Sequence, residues 1–176
     1  MLNQSCARIP STAMPRDEAP RCAPRNLIAA MLTPADIVLD VDLPTKARVL
    51  EAVARQLAAR HGLSDRAVLS SLVERERIGS TALGCGVAIP HARVKGLGGP
   101  VAAFVRMQVP LEFDAPDGKP VSDILVLLVP HHATEAHLLL LAEVAEMFSD
   151  ASFREELRRC GDAAQVHLAF TAWRRP

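Results

Sequence analysis

The chain has 176 residues, with 20 Lys+Arg against 20 Asp+Glu, 49% hydrophobic residues and only 3% aromatic. A formal net charge of zero provides no broad cationic field, which disfavours nucleic-acid binding and a polybasic membrane anchor. One domain of ordinary size is expected, apolar enough to bury a core without disulfide or metal staples. Cys6, Cys22, Cys85 and Cys160 are widely spaced, form no C-x-x-C pair and follow no secretory signal, which points to a reducing cytoplasm. No run reaches the length of a membrane span; the longest candidate, around Leu138 to Ala145, is interrupted by Glu143 and Glu146.

Residues 1–25 are expected to be a disordered Pro/Arg-rich tail, with Pro10, Pro15, Pro20 and Pro24 punctuating a stretch of no clear period. A single domain is expected over 26–176. Ile37, Val38, Leu39 and Val41 read as a strand closed by Asp42 and Pro44. Thr45 then caps a helix over Lys46 to His61, with Val49, Leu50, Val53, Ala54 and Leu57 on one stripe and Gly62 as its stop. Ser64 caps a second helix from Asp65 to about Arg77, which Glu74-Arg75-Glu76-Arg77 finishes with charge.

The glycine-rich segment Gly79 to Gly86 reads as a loop feeding a strand, Val87 to His91. A further strand is expected over Val101 to Val109, ending at Pro110. After a turn at Asp117-Gly118 comes an aliphatic strand from Asp123 to Val129, of the kind buried on both faces. Three helices follow: Thr134 to about Ser149, one opened by the capping box Ser152-x-x-Glu155, and one opened by Asp162-x-x-Gln165 toward Trp173.

Gly79 and Gly84 have the spacing of a P-loop, but Cys85-Gly86 stands where Lys and Ser/Thr should be, and a strand rather than a helix follows. The loop instead delivers His91, just after a probable strand and a proline. An imidazole is a phosphoryl acceptor when one ring nitrogen is neutral and the other is pinned by a hydrogen bond. Arg75, Ser80, Thr81, Arg93 and His137 are the candidate groups for meeting the incoming anion.

The string Arg75-x-x-x-Gly79-Ser80-Thr81-x-x-Gly84-x-Gly86-Val87-Ala88-Ile89-Pro90-His91 is followed by Phe113-Asp114-Ala115, Leu127-Leu128-Val129-Pro130 and His137-Leu138. Together they resemble the fructose/mannitol-type (type 2) enzyme IIA domain of the bacterial phosphotransferase system, most of all its nitrogen-regulatory branch. The resemblance spans about residues 27 to 172. It implies a three-layer α/β/α sandwich with a mixed central sheet, which agrees with the element order. It also implies that His91 is the phosphorylated histidine, that His137 is the second active-centre histidine against it, and that Arg75 is the arginine preceding the loop. Ser80, Thr81 and Arg93 are expected to steady the phosphoryl charge.

The implied partners are a phosphorylated histidine phosphocarrier protein and then regulated target proteins or an enzyme IIB. Apolar groups such as Ala82, Leu83 and Val94 are expected to form the docking surface. No cofactor, metal, nucleic acid or membrane insertion is implied. The chain departs from the family at Cys85, where Asn is expected between the glycines, and at His131-His132 after Pro130. Three other readings are open: a sugar-specific enzyme IIA, a non-catalytic binding module of the same fold, and a metal-dependent hydrolase using His131, His132 and His137. Asp114 with Asp117 or Asp123 is read as turn and strand-start usage rather than as a Mg²⁺ pair.

Overall fold

The computed structural model describes residues 26–132 and 135–175, without the side chains of Glu135 and Ala136. The expected tail at 1–25 lies outside the described residues. A six-stranded mixed sheet runs in the order β1-β5-β6-β3-β2, with β4 also paired to β6. Its strands are β1 (Ile37–Val41), β2 (Ala82–Gly84), β3 (Val87–Ala88), β4 (His91–Val94), β5 (Val101–Leu111) and β6 (Val121–Pro130). The helices are α1 (Lys46–His61), α2 (Asp65–Ile78), α3 (Glu135–Ser149), α4 (Ala151–Arg159) and α5 (Ala163–Ala172).

Alternation along the central strands distributes the core. Val101, Ala103 and Val105 of β5 and Ile124, Val126 and Leu128 of β6 pack with Val49, Val53 and Leu57 of α1 and Val68 and Leu72 of α2. The residues between them, Ala102, Phe104, Leu125, Leu127 and Val129, pack with Leu140, Val144 and Met147 of α3, Phe153 and Leu157 of α4 and Phe170 of α5. The period of two therefore feeds opposite faces, and the expected three layers follow.

The helix boundaries hold where a cap is strong. Thr45 accepts from Arg48 N, Ser64 from Ala67 N and Asp162 from Gln165 N, while Gly62 takes the left-handed conformation at φ 67°. The expected start of α4 at Ser152 is corrected: Asp150 is the cap and accepts from Ser152 N at 2.8 Å, while Glu155 pairs with Arg158 and Arg159. Strand β5 runs past the expected stop, carrying Pro110 in the irregular stretch between the Arg106 and Leu111 pairings.

The glycine-rich segment holds more structure than expected. β2 and β3 form a short antiparallel hairpin around Gly84, Cys85 and Gly86, all at positive φ. Cys85 at φ 54° sits in the left-handed region that Asn tolerates better than most residues, which accounts for the Asn expected there. The Cys85 N–H is held by Asp117 Oδ2 at 2.8 Å. That bond, with a second from Lys119 N–H, holds the Asp117 carboxyl below the ordinary range and fits it to a turn role.

The expected strand over Val87 to His91 breaks at Ile89-Pro90 and resumes as β4, both pieces lying parallel along the same side of β6. β3 is covered by β2, whereas among the described residues β4 has no strand beyond it and is an edge. An aromatic cluster lies under the other sheet face, where the Phe170 ring meets Phe104 at 5.4 Å and Phe153 at 5.3 Å between centroids. Phe170→Ala should cost about 3–5 kcal/mol, as for other buried aromatic truncations, with a lower urea midpoint and an unchanged slope as the readout.

Candidate functional site

His91 opens β4, and the alternation that buries Ala92 and Val94 under α1 and α2 turns His91 and Arg93 toward the α3 side. Because β4 is an edge, groups from both helical layers meet the ring. Arg75, in the last turn of α2, donates from Nε to His91 Nε2 at 3.0 Å and from Nη1 to Gly79 O at 3.1 Å. His137, in the first turn of α3, brings its ring to 5.5 Å from that of His91, tilted by 50°. His137 is only 7% exposed, and its Nδ1 is buried with no hydrogen-bond partner among the described residues.

These contacts specify the tautomer. His91 Nδ1 lies 2.9 Å from the Ile89 carbonyl, which can only accept, so Nδ1 carries the proton. Nε2 receives a hydrogen bond from Arg75 and so carries the lone pair. Burial lowers the His91 pKa, opposed by the bond to Ile89, with Arg75 lowering it further and Glu76 raising it. Burial also lowers the His137 pKa, and His91, Arg93 and Arg75 add to the effect. Both rings are thus biased toward the neutral form, and His91 presents a neutral nitrogen whose lone pair faces a guanidinium.

A cleft of about 590 Å³ opens over this group, lined by Arg75, His91, Arg93, Lys95, His131, His137 and Glu74 among others. Among its charged residues Arg75, Arg93 and Lys95 outnumber Glu74, which gives the cleft a positive potential. Ser80 and Thr81 line a smaller cavity on the other side of His91 with Leu83 and Leu141. Their hydroxyls are engaged elsewhere: Ser80 Oγ donates to Phe113 O and accepts from Ala82 N, and Thr81 Oγ1 donates to Glu76 Oε2 at 2.6 Å. The structure therefore brings Arg75, Arg93 and His137 to the His91 cleft and uses Ser80 and Thr81 to shape the loop.

The expected apolar surface is also revised, since Ala82 and Val94 are buried and only Leu83, at 43%, is exposed. Ile78, at 84% exposure, lines the His91 cleft instead. Glu76 and Lys46 were not singled out by sequence, because a charged helix end reads as solvated surface; both belong to the support of the loop. Among the described residues no cluster of His, Cys, Asp and Glu has metal-binding geometry. His131 and His132 are exposed and stack edge to face at 5.6 Å.

Residues 30–172 match the family model described as phosphoenolpyruvate-dependent sugar phosphotransferase system, EIIA 2. The chain belongs to this type-2 enzyme IIA family. A nitrogen regulatory protein of Pseudomonas aeruginosa is 41% identical over 138 residues, covering 78% of this chain and 90% of that protein. The crystal structure of the nitrogen regulatory protein IIA-Ntr from Neisseria meningitidis superposes with a TM-score of 0.78 at 44% identity, over 82% of this chain and 99% of that one. Enzyme IIA of the Escherichia coli mannitol system, solved in complex with phosphorylated enzyme IIB, shares the fold at 16% identity with a TM-score of 0.69, over 81% and 98% of the two chains. Among the described residues no helix is long and apolar enough to cross a membrane.

The neutral histidines have a consequence for this enzyme IIA domain's stability. Their folded pKa values lie below the ordinary value of about 6.5, so in that window the unfolded chain binds more protons and stability falls as the pH drops. Denaturation midpoints measured from pH 7.5 to 5 should decline. His91→Gln should make the decline shallower, and an unchanged slope in that variant would show that His91 is not held neutral.

Proposed function

We propose that the chain is a phosphohistidine carrier, in which His91 accepts a phosphoryl group from the phosphohistidine of a small phosphocarrier protein. The observation that carries this is the pinned ring: Nδ1–H on the Ile89 carbonyl, and Nε2 with its lone pair open to a cationic cleft. In the transfer the donor's N–P bond breaks as a bond from phosphorus to His91 Nε2 forms. The donor ring leaves with the electron pair, and the His91 Nδ1 proton stays on Nδ1, hydrogen-bonded to the Ile89 carbonyl. No proton must be removed from the acceptor first, so no general base is required.

Arg75 is the group that must turn from Nε2 to the phosphoryl oxygens. Its guanidinium offers further N–H donors, one of which holds Gly79 O in the free state. Arg93 and the neutral His137 stand at the same cleft, where they stabilise the incoming charge. Ser80 and Thr81 assist indirectly, by holding the loop that carries Ile89. The exposed Ile78 and Leu83 flank the acceptor and give a docking protein apolar contacts beside the charge.

We further propose that this enzyme IIA acts in nitrogen-related regulation, binding target proteins differently in its free and phosphorylated states. The support is the names of its similar relatives, nitrogen regulatory proteins from Pseudomonas aeruginosa and Neisseria meningitidis. The physical means is a gain of nearly two negative charges in a cleft lined by Arg75, Arg93 and Lys95. Such a change can loosen an acidic partner held there or recruit a basic one.

Incubation with a phosphorylated histidine phosphocarrier should give an acid-labile, base-stable label on the wild type and none on His91→Ala. Absence of label on the wild type contradicts the carrier role. Arg75→Met should slow labelling about 10²–10³-fold, the usual effect of losing a donor aimed at developing charge, while leaving the fold intact. Onward transfer to a cysteine-bearing enzyme IIB, rather than a phosphorylation-dependent change in protein binding, would favour the sugar-specific branch.

A further inference from the structure

The Ile89 carbonyl is available to His91 because another residue has taken its natural partner. Ile89 N donates to Thr81 O at 2.9 Å, which is one half of an antiparallel bridge. In a regular bridge the return bond would run from Thr81 N to the Ile89 carbonyl. Thr81 N instead donates to Glu76 Oε1 at 3.1 Å, and Thr81 Oγ1 donates to Glu76 Oε2 at 2.6 Å. The freed carbonyl then accepts His91 Nδ1–H at 2.9 Å.

Glu76 is built to hold that post. Its side chain is 7% exposed, and Lys46 Nζ pairs with Oε1 at 2.6 Å while lying 4.6 Å above the Phe113 ring. The carboxylate thus takes a backbone N–H, a hydroxyl and an ammonium, which fixes it in place and meets the cost of burying its charge. Glu76 follows Arg75 directly on α2, so neighbouring residues of one helix end govern the two nitrogens of a single ring. Free neutral histidine favours the proton on Nε2, which would block the nucleophilic nitrogen, so the opposite tautomer has to be imposed.

We propose that Glu76 is a positioning residue that imposes the Nδ1–H tautomer on His91 by withholding the Thr81 N–H from the Ile89 carbonyl. His91 is taken here as the phosphoryl acceptor, so the role of Glu76 rests on that reading. The tautomer itself is measured without any phosphoryl donor. Glu76 acts through Thr81 and Ile89 and touches neither the ring nor the phosphoryl group.

The test is long-range ¹H–¹⁵N spectroscopy of imidazole-labelled protein at a pH where His91 is neutral. Wild type should show a protonated Nδ1 and a pyridine-type Nε2. Glu76→Ala should shift both signals toward a mixed population, and should slow phosphoryl acceptance several-fold, in proportion to the rings that lose the Nδ1–H form. Glu76→Gln, which keeps an oxygen for the Thr81 N–H, should restore the wild-type spectrum, as should Thr81→Val, which keeps the N–H bond.

A folded Glu76→Ala protein with the wild-type imidazole spectrum overturns the proposal. If that variant does not fold, the wild type decides: the Thr81 amide should show a coupling across its hydrogen bond to the Glu76 carboxyl carbon, and a coupling to the Ile89 carbonyl carbon instead overturns it. A wild type with the expected spectrum but no phosphoryl acceptance would refute the carrier role while leaving the placement of Glu76 intact.

Discussion

One imidazole held at both nitrogens organises the site. The Ile89 carbonyl keeps a proton on Nδ1, and Arg75 marks the lone pair on Nε2. The Nδ1 contact reaches back across the Ile89-Pro90 step that joins β3 to β4. Pro90 has no N–H, but its carbonyl still accepts from Leu127 N, so the chain stays on β6 while the ring doubles back over its own backbone.

Electrostatics and burial then act in the same direction. Desolvation and the neighbouring arginines disfavour protonation of both histidines, so the acceptor stays neutral beside a cleft lined with Arg75, Arg93 and Lys95. The guanidinium that helps keep the ring neutral also lines the cleft, so it penalises the protonated form and would attract the anion of the proposed reaction. The burial of His137 fits the same pattern, since a desolvated imidazole is more easily retained neutral than charged.

Much of this was legible in the sequence, and the exceptions have physical causes. Helices α1, α2 and α5 were readable because Thr45, Ser64 and Asp162 cap them as their side-chain chemistry demands. The central strands were readable because Val101–Val105 and Asp123–Val129 carry apolar residues on both faces. α4 was misplaced by two residues at its cap, since Asp150 and Ser152 are both capable acceptors and only the entering chain direction decides between them. The hairpin β2–β3 was hidden because glycines that mark a loop also allow a tight turn at positive φ.

The histidines, arginines and loop residues of the candidate site were visible as a string, but their division of labour was not. Ser80 and Thr81 looked like anion donors from composition alone, whereas their partners, Phe113 O and Glu76, lie 33 and 5 positions away. Glu76 looked like ordinary helix surface, and Lys46 gave no signal at all; their importance arises from burial at the seam between α1, α2 and the loop. Nothing in a one-dimensional pattern shows which of two carboxylates in Glu74-Arg75-Glu76 turns inward. On the proposed reading, His91 reacts through Nε2 while Nδ1 keeps its proton, hydrogen-bonded to the Ile89 carbonyl. ¹⁵N–³¹P coupling in the phosphorylated, imidazole-labelled protein tests it most directly: phosphorus bonded to Nε2 of His91 is the predicted result, and phosphorus on Nδ1, or on any other residue, contradicts the account.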